Sequence, residues 1–203
     1  MDKLKIIARE SDYVVCVKPA GVLSEGEMPR LIADTLGLNT TVYVVHRLDR
    51  ETGGLMLYAL TAKAAARLSQ GFSKEYLAAV RGIPEPNGEM RDLLFYDKTK
   101  NKAFAVKRLR HGVKEAELAY SLLEAENGLS LVRIELKTGR THQIRVQFSS
   151  RGMPLFGDGK YGGRTEKSGL ALWSYKITVG DKVYECLPKG EPWQYFDYFK
   201  AKD

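Results

Sequence analysis

The chain has 203 residues, 44% hydrophobic and 28% charged, an ordinary globular composition that sets aside disordered, collagen-like and membrane-embedded classes. Lys and Arg number 32 against 25 Asp and Glu, and the resulting net charge of +7 suits a polyanionic partner, nucleic acid above all. No apolar run approaches the ~20 residues of a membrane span; Leu55–Leu60 is among the longest.

Taken in chain order, Tyr13-Val14-Val15-Cys16-Val17 and Val42-Tyr43-Val44-Val45 carry the β-branched and aromatic residues that strands prefer. Gly54–Leu60 reads as a third strand. Thr61 is placed to cap a helix over Ala62–Gln70, with Gly71 closing it. Pro84–Gly88 reads as a loop inside the domain, not a linker. In Leu129–Leu136, Val132, Ile134 and Leu136 alternate with Arg133, Glu135 and Lys137, the pattern of a strand with one wet face. Thr141–Ser150 predicts a second helix that exits at Gly152 and Pro154. Lys176–Val179 and Val183–Leu187 flank Gly180-Asp181-Lys182 as a hairpin, and Trp193–Lys200 predicts a short terminal helix. The elements are too mixed for a regular βαβ alternation and show no internal repeat. The reading is a single α+β domain over residues 1–203, built on a largely antiparallel mixed sheet.

Cys16 and Cys186 lie far apart and form no C-x-x-C pair, so two free thiols in a reducing compartment are expected, with neither a disulfide framework nor a cysteine zinc site. Met1-Asp2-Lys3-Leu4-Lys5 carries charge where a signal peptide needs an apolar run, which places the protein in the cytoplasm.

Three segments set polar residues against apolar strands. They are His46-Arg47-Leu48-Asp49-Arg50-Glu51-Thr52-Gly53-Gly54, Lys74-Glu75-Tyr76-Leu77-Ala78-Ala79-Val80-Arg81-Gly82, and Leu136-Lys137-Thr138-Gly139-Arg140-Thr141-His142-Gln143-Ile144-Arg145 followed by Gly157-Asp158-Gly159-Lys160-Tyr161-Gly162. Loops at strand ends concentrate functional groups, and paired glycines allow a backbone to approach a ligand closely. A basic run also stands out: Lys98, Lys100, Lys102, Lys107, Arg108, Arg110 and Lys114 carry seven cations with no acid between Lys98 and Lys114. Phe104 and Val106 interrupt it, which predicts a hairpin or strand pair. Such a run either tracks a phosphate backbone or protects an edge strand from aggregation.

These segments, in this order, resemble the RluA-type pseudouridine synthases, which isomerise uridine to pseudouridine within RNA. The similarity runs from about Tyr13 to about Leu187. The resemblance implies a pseudouridine-synthase catalytic domain with a basic RNA-binding cleft, in which Asp49 attacks the target nucleoside, Arg145 pairs with it and Tyr76 lies against the extruded base. The chemistry needs an ionised carboxylate that adds and leaves again. A guanidinium ~4 Å away would favour that ionised form by roughly 4 kcal/mol at an effective dielectric near 20. An aromatic face stacked on the base contributes about 1–3 kcal/mol. Arg47 is implied to fill the gap the nucleotide leaves. The RNA-contacting set is then Arg47, Arg140, Lys98, Lys100, Lys102, Lys107, Arg108 and Arg110. Bonds are only exchanged, so no cofactor and no metal are expected. The expected partner is ribosomal or transfer RNA, with no membrane, and the protein is expected to be a monomer.

Only 45 residues precede His46, too few for the family's S4-type RNA-binding module, so recognition is expected to rest on the core. Gly53-Gly54 stands where Ser-Gly is more usual, and Val146-Gln147-Phe148-Ser149 replaces Val-His-Leu; neither removes a catalytic group. Two rival readings stand beside this one. One is a non-enzymatic RNA-binding or ribosome-associated module retaining the fold. The other is an acid–base ribonuclease using His46 and His142, although the resemblance assigns both histidines to scaffolding; the third histidine, His111, lies in the basic run and is expected to be exposed.

Overall fold

The computed structural model describes residues 4–200. Met1, Asp2 and Lys3, part of the charged opening on which the absence of a leader was read, lie outside them. Eleven strands are β1 (Ile6–Arg9), β2 (Tyr13–Lys18), β3 (Tyr43–Val44), β4 (Gly53–Ala59), β5 (Phe72–Arg81), β6 (Asn87–Asp97), β7 (Lys102–Val106), β8 (Val113–Glu126), β9 (Leu129–Leu136), β10 (Leu172–Val179) and β11 (Lys182–Glu185). The helices are α1 (Glu27–Leu36), α2 (Ala62–Leu68), α3 (Gln143–Ser149) and α4 (Asp197–Lys200), with short 3-10 turns at Gly159–Tyr161 and Trp193–Tyr195. The fold is α+β with a mixed, mainly antiparallel strand arrangement. The chain divides into two compact units, Met1–Glu75 with Trp173–Pro188, and Tyr76–Leu172 with Lys189–Asp203.

In the first unit β2 lies between β1 and β4, antiparallel to both, from Tyr13↔Ala59 to Lys18↔Gly54 against β4. β4 then pairs in parallel with β10 through Gly53↔Trp173 and Gly54↔Ser174. Both glycines are dictated here. A Cβ on Gly53 would stand 2.5 Å from the Trp173 ring, and one on Gly54, at φ 117°, would stand 2.3 Å from the Ser174 carbonyl oxygen. The close approach expected of this pair is therefore to a neighbouring strand, and not to a ligand. β2 and β4 are covered on both faces, as their near-continuous apolar runs demand. Tyr13, Val15, Leu55, Leu57 and Ala59 pack with Ala64 and Leu68 of α2 and with Ile177 and Val179. The Thr61 hydroxyl accepts the Ala64 N–H and caps α2 as its sequence predicts. The β10–β11 hairpin turns through Gly180-Asp181 alone, because Lys182 already pairs with Val179.

In the second unit the strand order is β5-β9-β8-β6-β7. β6 runs antiparallel to β8 from Asn87↔Ser121 to Phe95↔Val113, and its far end turns back into β7 through Asp97↔Lys102. The basic run is thus a hairpin followed by a loop, as expected. α3 is buried over nearly its whole length. Its Val146 packs with Leu94, Ala103, Ala116 and Tyr161.

Candidate active site

Asp49 is half-buried in the loop between β3 and β4, and its neighbours are fixed one by one. The Ser24 hydroxyl accepts the Leu48 N–H and donates to the Leu48 carbonyl, at 3.1 and 2.9 Å. The Asp49 carbonyl accepts the Thr52 N–H at 3.1 Å. The Arg50 carbonyl accepts from Gly21 N–H at 2.7 Å, while Arg50 Nε donates back to the Gly21 carbonyl at 2.8 Å. Lys18, fully buried, aims its ammonium at three carbonyls, those of Pro19, Val22 and Arg50, at 2.9, 2.7 and 3.1 Å. Burial pushes its pKa down to about 8, opposed by the negative charges of Asp49, Glu51 and Glu27. A buried cation bonded to the loop that carries a carboxylate is a signal the sequence offered only as the last residue of an apolar strand.

His46 sits at the start of this loop, where its Nε2 accepts the Leu57 N–H at 3.0 Å. An accepting Nε2 makes the ring a neutral imidazole with its proton on Nδ1. Burial holds its pKa well below the ordinary imidazole range, and the Lys74 cation adds to the effect. It is scaffolding, tying the loop to β4, and not an acid of ribonuclease type. Arg47 points outward and forms a 3.4 Å ion pair with Glu25, both side chains largely exposed, an arrangement worth little and readily exchanged for another anion. Lys74, on the part of β5 in this unit, lies over the Phe72 ring and has its pKa lowered by burial to about 8.

Tyr76 and Arg145 belong to the second unit. Tyr76 is buried in β5 at 4% exposure. Arg145 is 3% exposed on α3, and its guanidinium grips Asp158 by Nε to Oδ2 and Nη2 to Oδ1, both 2.8 Å. Asp158 also accepts the Tyr161 N–H, capping the 3-10 turn. The sequence marked the Gly157–Gly162 segment but assigned Asp158 no task. The Gly139–His142 approach to α3 is equally determined. Gln143 Oε1 accepts from the Arg140 N–H and the Thr138 hydroxyl, while Arg140 Nε donates to the Glu115 carbonyl. His142 starts α3 in the left-handed region at φ 55°, a conformation costing a side-chain-bearing residue about 1–3 kcal/mol and sustained only by its surroundings. Its Nδ1 meets the Tyr161 hydroxyl at 2.8 Å. His142 is thus also structural in its contacts.

Lys98, Lys100, Lys107, Arg108 and Arg110 are exposed and Lys102 half-buried along the hairpin and its following loop. Aromatic rings lie among them: Lys100 and Lys102 sit 5.9 and 5.8 Å from the Phe104 centroid, and Arg110 sits 5.2 Å from that of Phe95. Such pairs hold cations in place without neutralising them. A cavity of about 640 Å³ elsewhere in this unit is lined by Glu124, Glu126, Asp197 and Tyr195; its carboxylates suit no polyanion, and it contains none of the predicted residues. Among the described residues, no group of three or more His, Cys, Asp or Glu is placed to hold a metal ion, and no helix is long and apolar enough to cross a membrane.

The family model described as RNA pseudouridylate synthase matches residues 12–150. The tRNA pseudouridine synthase C of Haemophilus ducreyi is 34% identical, covering 97% of this chain and 99% of that protein. An uncharacterized RNA pseudouridine synthase of Haemophilus influenzae is 33% identical over 81% of this chain and 76% of its own length. The ribosomal large subunit pseudouridine synthase D of Borreliella burgdorferi is 31% identical over 87% of this chain and 61% of its own length. Among solved structures, human RNA Pseudouridylate Synthase Domain Containing 1 superposes with a TM-score of 0.76 at 25% identity, covering 92% of this chain and 83% of that one.

Proposed function

The chain belongs to the RNA pseudouridylate synthase family and is an RNA uridine isomerase; from that premise we propose that Asp49 carries the reaction, with Arg145 and Tyr76 as its partners, on a uridine of ribosomal or transfer RNA. The reaction exchanges the N–C glycosidic bond of uridine for a C–C bond to carbon 5 of the same base. Asp49 adds covalently to the target nucleoside, the bond from N1 to the sugar breaks and the base turns. Carbon 5 bonds to the sugar, the carboxylate is released, and carbon 5 gives up its proton, which the Tyr76 hydroxyl helps to remove, while N1 takes one up as the free imino group. Arg145 favours the ionised carboxylate, and the Tyr76 ring stacks on the extruded base. Arg47 occupies the space the nucleotide vacates, offsetting part of the few kcal/mol that opening a stack requires. Lys98, Lys100, Lys102, Lys107, Arg108, Arg110 and Arg140 contact the phosphate backbone.

The observation that carries this reading is the fixing of the Asp49 loop. Leu48, Arg50 and Thr52 are each held by a named hydrogen bond, so the backbone that carries the Asp49 carboxylate is fixed, and the residue itself is half-buried. The exposed Arg47–Glu25 pair and the ring-braced cations of the hairpin support a role in RNA contact. Transfer RNA and ribosomal RNA are the substrates that the relatives' names carry, and none of those names favours a non-enzymatic module. The site of action is the cytoplasm, and the protein works as a monomer without metal or cofactor.

The test is Asp49→Asn. It is expected to abolish pseudouridine formation while changing RNA affinity by less than about tenfold, ~1.4 kcal/mol. Product at near wild-type rate would remove Asp49 from the mechanism. Pseudouridine mapping of total RNA from cells with and without the gene assigns the substrate: a site lost from ribosomal or transfer RNA is expected, and a loss confined to other RNA overturns the substrate assignment.

A further inference from the structure

The segment Gly157–Gly162 has one residue, Tyr161, for which the reaction described above has no use, and it stands at a junction. Its phenol oxygen accepts the Ala103 N–H of β7 at 2.7 Å. The same hydroxyl shares a hydrogen bond with His142 Nδ1, 2.8 Å away at the start of α3. Its ring lies 5.0 Å from the Lys102 ammonium of the basic hairpin and 5.2 Å from the Arg145 guanidinium. Its own N–H is held by Asp158, the carboxylate that grips Arg145. The residue before it, Lys160, donates from Nζ to the Asn101 carbonyl at the turn of the hairpin, 3.0 Å away. Tyr161 is buried within the apolar cluster of Leu94, Ala103, Ala116 and Val146, which joins β6, β7, β8 and α3.

We infer that Tyr161 is a positioning residue coupling the basic hairpin to Arg145, so that phosphate contact on the hairpin sets the guanidinium used in the reaction. The inference rests on the reading of Lys98–Arg110 as an RNA contact and of Arg145 as catalytic. Its physical basis is that the hairpin and α3 cannot shift independently. Moving β7 away from Tyr161 would orphan the buried Ala103 N–H, and moving α3 would take from the phenol its hydrogen-bond partner His142. Through Asp158 the same short segment fixes both nitrogens that Arg145 presents to it. Binding energy gained at a remote phosphate is thereby converted into orientation at the reacting centre, which raises rate and not only affinity.

A kinetic double-mutant cycle tests this, with single-turnover conversion of a target RNA measured up to saturation. The surface variant is Lys98→Ala/Lys107→Ala/Arg108→Ala, and the junction variant is Tyr161→Phe. In the wild-type background the surface variant is expected to raise the half-saturating RNA concentration and also to lower the saturated rate by about tenfold. In the Tyr161→Phe background, itself slowed, it is expected to raise half-saturation while leaving the saturated rate within about twofold. Should Tyr161→Phe fail to fold, the same cycle with Lys160→Ala, which removes only the tie to Asn101, is expected to show the same loss of response in part. Saturated rates that fall by independent, multiplying factors overturn the coupling and leave the hairpin as an RNA contact. A surface variant that alters half-saturation alone in the wild type does the same. One that alters neither quantity overturns the RNA contact together with the coupling, and a fully active Arg145→Met overturns the catalytic reading of Arg145 and the coupling that depends on it.

Discussion

Arg145 and Asp158 face each other through two parallel hydrogen bonds of 2.8 Å, with side-chain exposures of 4% and 0%. Two opposite charges so thoroughly withdrawn from water are sustained by each other. Removing one takes from the other a buried partner in two charge-assisted hydrogen bonds, a loss of about 3–5 kcal/mol. Asp158→Asn is therefore expected to lower unfolding free energy by about that amount in urea titration. Arg145→Met, which removes the charge but keeps a long apolar chain, is expected to abolish pseudouridine formation. An Asp158→Asn protein as stable as wild type would show that the pair carries no such burden.

Lys18 supplies a pH signature. An unfolded lysine keeps its proton to about pH 10.4, whereas in the fold Lys18 releases it near about 8, chiefly through burial. Between these values the unfolded chain binds more protons, so the contribution of Lys18 to stability rises with pH. It is complete above the unfolded value and lost as pH falls toward about 8, a span of roughly 3 kcal/mol. Denaturation midpoints taken from pH 7.5 to 10.5 should climb relative to a Lys18→Met reference. Parallel curves for the two proteins would contradict the assignment.

Gly54 admits no side chain. A methyl group there would meet the Ser174 carbonyl oxygen at 2.3 Å, on a backbone at φ 117°. Gly54→Ala is expected to destabilise by about 2–5 kcal/mol, combining overpacking with left-handed strain. A change below about 0.5 kcal/mol in thermal or urea unfolding, the ordinary surface value, would mean that β4 and β10 can separate there at no penalty.

The hairpin cations give a salt prediction. If they meet phosphates, the logarithm of RNA affinity falls linearly with the logarithm of salt concentration, with a slope of about −0.7 per contact on a single strand. Lys98→Ala/Lys107→Ala/Arg108→Ala should make that slope shallower by about 2. An unchanged slope in filter-binding titrations would place these residues off the RNA.

The strands with composition to match were legible in sequence: β2, β4 and β9 stand within a residue or so of their predicted places, and Thr61 does cap α2. α3 is one turn's fraction shorter than predicted, because Thr141 and His142 form a turn ahead of it. α1 was missed altogether. It starts from Gly26 with no capping side chain, and Pro29 in its first turn reads as a breaker although a first-turn proline loses no internal hydrogen bond. Among candidate site residues, the order of the motifs pointed to Asp49, Tyr76 and Arg145. It could not reveal Asp158 or Lys18, because a buried charge announces itself only when its partners come from distant sequence. Arg140, read as an RNA contact, has its Nε engaged with the Glu115 carbonyl, a contact that no local pattern encodes.

The parallel seam of Gly53 and Gly54 with Trp173 and Ser174 has a consequence for biosynthesis. The segment that positions Asp49 emerges from the ribosome early, but the strand that seats its far end is made roughly 120 positions later. Contacts so remote in sequence form slowly and only after a large loop has closed. Nascent chains stalled before Trp173 should therefore be unable to modify RNA, which would keep a growing polypeptide, tethered beside abundant ribosomal and transfer RNA, from acting before it is finished.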